Sequence, residues 1–204
     1  MHRGHLDVAD AASRALGLDR VLFVPANVPP HRAQPRASAA HRFAMTALAV
    51  HDDDRFDVDD LEMLSDSPSF TAVTLDRLAA RGVVIGELFV ITGADAFRDI
   101  ASWKDYPALL DRCHFVVVSR PGAPAPALRS ALRDLFGRMM DPPCPALQEP
   151  RIVLVDAPTA PVSSTDIRRR VASGDPIDDM TPGNVVHHIR KHQLYRASSL
   201  YGQS

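Results

Sequence analysis

With 204 residues and a mass of 22.3 kDa, the chain is sized for one domain with a single core, and its shares of hydrophobic (46%) and charged (24%) residues are ordinary for a globular protein. A net charge of -2 argues against a large nucleic-acid surface, two cysteines support neither a disulfide framework nor a cysteine-based zinc site, and no apolar run reaches the roughly 18 residues of a membrane span. The first twenty residues lack a hydrophobic signal core, so the sequence predicts a cytoplasmic protein without a nucleic-acid or membrane partner.

The first half of the chain alternates amphipathic helices with short apolar strands. Apolar residues at helical spacing predict a helix from Gly4 to Leu16, and residues 21–24 predict a buried strand that Pro25 ends. Residues 27–34, the proline loop, contain Pro29-Pro30 and should form a loop at the carboxyl end of that strand. The next expected elements are a helix from Ser38 to about Val50, a strand over 56–63 and a helix over 69–82.

The same alternation continues through the second half. A strand over 88–91 should run directly into residues 92–95, and residues 103–106 should form a connection. The remaining expected elements are a short helix over 108–111, a strand over 115–118, an amphipathic helix spanning Leu128 to Met139, a last strand over 152–155, and helices over about 164–173 and 181–192.

This order of elements predicts an α/β fold, a doubly wound, Rossmann-like parallel sheet covered by helices on both faces. We expect a single domain over residues 1–204, with a C-terminal helical part from about residue 163. Ligands of such sheets bind beyond the carboxyl ends of the strands. Residues 25–32, 93–95 and 161–165 all follow strands and should therefore gather on one rim.

Two segments at opposite ends of the chain carry residues suited to binding phosphate. His2 and His5 are spaced to share one face of a helix, and Gly4 between them would let a ligand approach the backbone. The segment Ser163-Ser164-Thr165-Asp166-Ile167-Arg168 offers hydroxyls, amides at a helix start and a guanidinium fork. Together they predict a site for the phosphates of a nucleotide.

Structural interpretations of the same residues remain open. Paired histidines at a helix start are often plain surface residues, and Ser163 would cap a helix with or without a phosphate. Asp95 could cap the helix that follows it, and Trp103 could be a packing residue. His188 and His192 have metal-ligand spacing, but a solvated C-terminal helix is the favoured interpretation.

The motif His2-Arg3-Gly4-His5 with the segment 163–168 resembles the signature pair of the nucleotidyltransferase superfamily. More narrowly, the chain resembles the bacterial nicotinate-nucleotide adenylyltransferases, over essentially its whole length. The supporting segments are residues 24–32, 69–75, 91–95, 102–103, 115–121 and 188–195.

For ATP, the resemblance implies that His2 and His5 contact the phosphates and stabilise the transition state, with Arg168 as the third catalytic residue. It also implies that Gly93 and Asp95 lie against the ribose or the nucleotide backbone. The residues implied to hold the triphosphate from the other side are Ser163, Ser164, Thr165 and Arg168.

For the acceptor, nicotinate mononucleotide, the resemblance implies that Trp103 stacks on the pyridine ring. Main-chain donors near Thr71 and Tyr106 would read the ring carboxylate, and Arg32 stands where the family has a lysine. Val73 departs from the family pattern, which often has a polar or acidic residue there.

The implied reaction transfers the adenylyl group of ATP to nicotinate mononucleotide, giving the deamido-dinucleotide and pyrophosphate in NAD synthesis. Mg²⁺ would be carried by the ATP phosphates and water, with no metal held by a protein cage. Two alternatives stand beside this activity: another nucleotidyltransferase of the superfamily, for example one acting on a pantetheine phosphate, and a nucleotide-binding protein with impaired catalysis. The oligomeric state is open, a homo-oligomer included.

The second alternative stems from a departure at the amino terminus. The family's first strand and the glycine-rich turn before the first histidine have no counterpart in the sequence. We therefore expect the chain to be truncated at its start or to begin at a misplaced start codon, with a vacant or poorly filled sheet position between the strands over 21–24 and 88–91.

Overall fold

The computed structural model describes residues 1–29, 35–63, 65, 67–144 and 147–196. The helices are α1 (Arg3–Leu16), α2 (Ala39–Val50), α3 (Thr71–Ala80), α4 (Ala94–Phe97), α5 (Leu128–Ala131), α6 (Ser164–Ser173) and α7 (Gly183–Lys191). The strands are β1 (Val21–Phe23), β2 (Phe56–Val58), β3 (Phe89–Gly93), β4 (His114–Val118), β5 (Met139–Met140) and β6 (Ile152–Val155). Short 3₁₀ helices cover Ile85–Glu87, Ile100–Ser102, Ala108–Asp111, Ala125–Ala127 and Arg133–Arg138.

All strand pairs are parallel, as expected, but the strands form two sheets rather than one. The larger sheet has the order β3-β4-β6-β5, and the smaller one pairs β1 with β2. Among the described residues, β1 and β3 therefore do not pair with each other.

The larger sheet is buried between two hydrophobic layers. On one face, Ala12 of α1 packs with Val116 and Val118 of β4 and Val153 and Val155 of β6. On the other face, the alternate strand residues pack with side chains from the connecting helices, and this cluster includes Phe115, Val117, Ile152, Leu154, Phe97, Leu109 and Leu128. Because β4 and β6 are covered on both sides, their sequences are continuous apolar runs instead of alternating ones.

A third cluster joins the C-terminal helices to α2. It contains Met45 of α2, Ile167 of α6, and Val185, Val186 and Ile189 of α7. The apolar stripe of α7 therefore faces α2 and α6, and the polar face of α7 remains outside. Within the described residues, no helix is long and apolar enough to cross a membrane.

The structure corrects two expected elements. The amphipathic helix expected from Leu128 to Met139 is wrong: α5 ends at Ala131, because Leu132 adopts φ -120° and ψ 63°, and a 3₁₀ helix and β5 follow. The strand expected over 56–63 ends at Val58, and the chain then turns. Asp59 contributes to that turn by accepting a hydrogen bond from the backbone of Leu61 through its side chain.

Candidate functional site

The histidine turn, residues 2–5, begins helix α1. His2 is the N-cap residue in an extended conformation, and it is almost completely buried. Its ring stacks on that of His5, with centroids 3.7 Å apart and planes inclined by 29°. The expected placement of the two imidazoles on one face is therefore confirmed.

Burial sets the protonation state of His2. Loss of solvent, with smaller contributions from the charges of the amino terminus and Arg120, lowers the pKa of His2 to about 4. The imidazole is thus neutral at pH 7, and its buried Nδ1 has no hydrogen-bond partner among the described residues. A neutral ring with an unused nitrogen is suited to hydrogen bonding with a ligand rather than to charge neutralisation.

The serine turn, residues 162–165, begins helix α6. The Ser163 hydroxyl accepts a hydrogen bond from the backbone N–H of Asp166 at 3.0 Å, so Ser163 is the N-cap. Arg168 donates to the Thr165 hydroxyl at 3.1 Å. The backbone amides and the positive end of the helix dipole make this turn a suitable anion site.

The three consecutive arginines of α6 have different roles. Arg169 is paired with the carboxylate of Asp166, which lowers the pKa of that carboxyl, and Arg170 lies 3.4 Å from the same group. Arg168 instead has a neutral hydroxyl as its hydrogen-bond partner. Of the three cations, Arg168 is therefore the one whose charge is not offset by an ion pair in the described structure.

Long-range hydrogen bonds bring the histidine turn and the serine turn together. Arg120 donates through Nη1 to the Gly4 carbonyl at 2.9 Å and through Nη2 to the Val162 carbonyl at 3.3 Å. Asp7 of α1 accepts a hydrogen bond from the backbone N–H of Ala160 at 2.7 Å. The two phosphate-binding candidates, at opposite ends of the sequence, thus belong to one site.

Gly93 and Asp95 lie beside Arg120, at the carboxyl end of β3 and the start of α4. A Cβ atom at Gly93 would lie 2.5 Å from an Asp95 carboxylate oxygen and 2.9 Å from Cγ of Arg120. Asp95 itself is exposed. Residue 93 must therefore be glycine for both side chains to keep these positions.

The described part of the proline loop, residues 27–29, is hydrogen-bonded to the segment just before α3. The Asn27 backbone N–H donates to the Ser69 hydroxyl at 3.1 Å, and the Ser69 N–H donates to the Val28 carbonyl at 2.8 Å. Arg42 of α2 binds the carbonyl oxygens of Ala26 and Asn27. Arg32 lies outside the described residues.

Two of the candidates for binding the acceptor, Trp103 and Tyr106, pack against the core of the larger sheet. Trp103 is half-buried and meets Phe115 edge to face, with centroids 6.4 Å apart and planes at 66°. Tyr106 packs against the same cluster, to which Ala72 also belongs. Thr71 is the neighbouring first residue of α3, where helix amides have no partner within the helix. The structure thus packs Trp103 and Tyr106 on the same core as Ala72, the residue that follows Thr71.

Sequence reasoning missed two arginines of this site. Arg120 was noted only as part of the segment 115–121 that supports the resemblance, and Arg42 only as part of the helix from Ser38 to about Val50. Both bind backbone carbonyl oxygens far along the chain, and a carbonyl acceptor leaves no signature in the sequence. The one available signal for Arg120 was its position directly after β4, on the rim where ligands bind.

The described residues contain no group of three or more histidine, cysteine, aspartate or glutamate side chains that could hold a metal ion. His188 and His192 do lie together with His41, whose Nδ1 is 3.1 Å from Nε2 of His188. This cluster joins α7 to α2, so the two C-terminal histidines are helix-packing residues as well as partly solvated ones.

A parallel α/β fold with two adjacent turns suited to anions is the arrangement expected of a nucleotide-binding transferase. A sequence profile described as "Cytidylyltransferase-like" matches residues 1–170. A solved structure, titled "Plasmodium falciparum nicotinic acid mononucleotide adenylyltransferase complexed with NaAD", aligns with a TM-score of 0.71 over 96% of this chain and 91% of that chain. Its 18% identity supports the fold alone.

Two curated relatives narrow the family assignment. A protein of Roseiflexus sp. (strain RS-1) named "Probable nicotinate-nucleotide adenylyltransferase" is 42% identical over 201 residues, 96% of this chain and 92% of that protein. A protein of Yersinia pestis (strain Pestoides F) with the same name is 39% identical over 202 residues, 96% of this chain and 90% of that protein. The chain therefore belongs to the cytidylyltransferase-like family and, within it, to the nicotinate-nucleotide adenylyltransferases.

Proposed function

We propose that this protein transfers the adenylyl group of ATP to nicotinate mononucleotide, forming nicotinate adenine dinucleotide and pyrophosphate in NAD synthesis. The observation that carries the proposal is the convergence of the histidine turn and the serine turn through Arg120 and Asp7. Two sets of phosphate-binding groups on one rim suit a substrate with several phosphates. The names of the two relatives indicate that the acceptor is a nicotinate nucleotide.

On the ATP side, the amides of the serine turn and the Arg168 fork would hold the triphosphate, and His2 and His5 would face it from α1. Ser163, Ser164 and Thr165 supply the hydroxyls and amides. Gly93 and Asp95 would lie against the ribose or the nucleotide backbone, where the exposed Asp95 carboxylate can accept hydrogen bonds.

The reaction is an in-line displacement in which a phosphate oxygen of the mononucleotide attacks the α-phosphorus of ATP. The P–O bond to pyrophosphate breaks as the new one forms, and no covalent intermediate with the protein is needed. The protein's contribution is positioning together with stabilisation of the charge on the phosphoryl oxygens. His2 would act as a neutral hydrogen-bond donor in this step, since its pKa is about 4.

Mg²⁺ would enter as part of the substrate, bound by the ATP phosphates and by water. It would offset negative charge on the phosphates when bound. The histidines, hydroxyls and arginines at the two turns fit this arrangement, because they are donors to phosphate oxygens rather than a carboxylate cage for a cation.

On the acceptor side, Trp103 would stack on the pyridine ring, and amides near Thr71 and Tyr106 would bind its carboxylate. The exposed part of the half-buried Trp103 is available for a ring, and its buried part is fixed against Phe115. Arg32 of the proline loop would add a positive charge that balances negative charge on the mononucleotide.

The test is pyrophosphate release from ATP with a panel of acceptors. Nicotinate mononucleotide should support release, and nicotinamide mononucleotide should support it less well. Release with a pantetheine phosphate instead would assign the chain to another transferase of the superfamily. Heat stabilisation by ATP without release for any acceptor would indicate a nucleotide-binding protein that lacks catalysis.

A further inference from the structure

Arg120 has a connecting position that the proposed chemistry does not use. It lies just after β4, where its backbone N–H donates to the Ala123 carbonyl at 3.0 Å and the Ala123 N–H donates back at 2.8 Å. This bridge fixes the base of the side chain. The guanidinium is held by the carbonyls of Gly4 and Val162, so one residue joins the sheet to both turns.

The glycines of the site accommodate this side chain. A Cβ atom at Gly4 would lie 2.6 Å from Nη1 of Arg120 and 3.1 Å from the Ala160 carbonyl oxygen. A Cβ atom at Gly93 would lie 2.9 Å from Cγ of the same arginine. The sequence suggested that Gly4 serves the approach of a ligand, but in the structure Arg120 occupies the space beside it.

The two carbonyls that Arg120 binds belong to the turns that would hold the phosphates. Gly4 is between His2 and His5, and Val162 immediately precedes the N-cap Ser163. A shift of either turn would change the distance between the imidazoles and the amides of α6. In a reaction whose catalysis is positioning, such a shift acts on the transition state more than on binding.

We infer that Arg120 is a positioning residue that sets the spacing between the histidine turn and the serine turn. The inference rests on the proposed function, because it concerns the same site. A guanidinium suits the task, since its rigid fork can donate to two oxygens at once, whereas a lysine ammonium is a single point. The bond from Ala160 to Asp7 is a second tie between α1 and the segment before the serine turn, so the fold should survive the loss of Arg120.

The experiment compares Arg120→Gln and Arg120→Lys with the unmodified chain and with Arg14→Gln. Arg14 is an exposed arginine of α1, paired with Asp10 and away from the turns, so its variant is the matched control. We would measure kcat, the Kd of a non-hydrolysable ATP analogue and Tm. Both Arg120 variants should lower kcat by about 10- to 100-fold while the Kd changes by less than about threefold.

A second arm tests the glycine. Gly4→Ala should lower kcat in the unmodified chain, because the new Cβ displaces the guanidinium. In an Arg120→Ala background, the same change should cost much less, so the two effects should not add. Full additivity would contradict the explanation for Gly4.

Three results would overturn the inference. Wild-type kcat in Arg120→Lys would show that charge alone matters, and unchanged kcat in Arg120→Gln would remove any role. A Kd weakened as much as kcat falls would make Arg120 a direct phosphate ligand. Failure of the proposed function is seen separately, because the unmodified chain would then release no pyrophosphate with nicotinate mononucleotide.

Discussion

Replacing Trp103 by alanine should weaken the binding of nicotinate mononucleotide much more than the binding of ATP. The side chain is half-buried, and its ring packs edge to face with Phe115, so only part of the side chain is exposed. Stacking of a ring on an aromatic side chain contributes roughly 1–3 kcal/mol, which corresponds to about 5- to 150-fold in affinity. ATP binding depends on the two turns and should change little.

The same substitution removes the contact with Phe115, and this must be separated from the loss of stacking. An edge-to-face aromatic pair contributes about 0.5–1.5 kcal/mol beyond its buried area. For a domain of this size that is a fall in Tm of a few degrees, at about 2–4 °C per kcal/mol. Trp103→Phe should keep most of the affinity, because a ring remains available for stacking.

Calorimetric titration with nicotinate mononucleotide and, separately, with a non-hydrolysable ATP analogue gives both affinities, and a thermal melt gives Tm. Phe136→Ala is the control, since Phe136 is 58% exposed and its loss should change neither affinity. Equal weakening of both ligands, or a lower Tm with unchanged affinity for the mononucleotide, would refute the stacking role and leave Trp103 as a packing residue.

Further predictions concern the phosphates, the acceptor and pH. Arg168→Lys should lower kcat although it keeps the charge, because a lysine ammonium cannot bridge two phosphate oxygens as a guanidinium can. Arg169→Lys is the control and should have little effect, since Arg169 is already paired with Asp166. Equal kcat values for the two variants would contradict this prediction. Nicotinate mononucleotide should have a higher kcat/KM than nicotinamide mononucleotide, because with the amide the donors near Thr71 would have no carboxylate to bind. Equal kcat/KM values for the two substrates would argue against a site that recognises the carboxylate. Finally, the pKa of His2 is about 4 in the folded chain against 6.5 for the free side chain, so as the pH falls the unfolded chain is protonated first. The contribution of neutral His2 to the free energy of unfolding should therefore be fully present above pH 6.5 and be lost as the pH falls towards 4. Urea melts at several pH values should show a weaker pH dependence of stability over this range in His2→Asn than in the unmodified chain.

The local elements of the fold were largely predictable from the sequence. The Ser38 and Ser163 caps mark the true starts of α2 and α6, and their side chains accept the expected backbone bonds. The helix expected from Leu128 to Met139 failed although its apolar residues have helical spacing. Phe136, which that helix would bury, is exposed, and the backbone of Leu132 interrupts the helix. Periodicity records which residues are apolar, but tertiary packing decides which of them are covered.

The candidate site was predictable as a set of turns but not as an assembly. The rule that strand ends share a rim placed residues 93–95 and 161–165 together, and in the structure Arg120 lies against Gly93 and binds the carbonyl of Val162. The groups that fix their mutual geometry were not predictable, because they are contacts between a side chain and a distant carbonyl. Arg120 reaches across 116 residues to Gly4 and across 42 residues to Val162. Only the folded chain reveals such partners.

The division of the strands into two sheets has a consequence for local opening. β1 and β2 exchange backbone hydrogen bonds with each other, whereas β4 is bonded on both sides, to β3 and β6. Amide protons of the small pair should therefore exchange with deuterated water at a lower opening free energy than those of β4. Residues 27–29 of the proline loop follow β1, so they should open together with this small pair while the larger sheet stays closed.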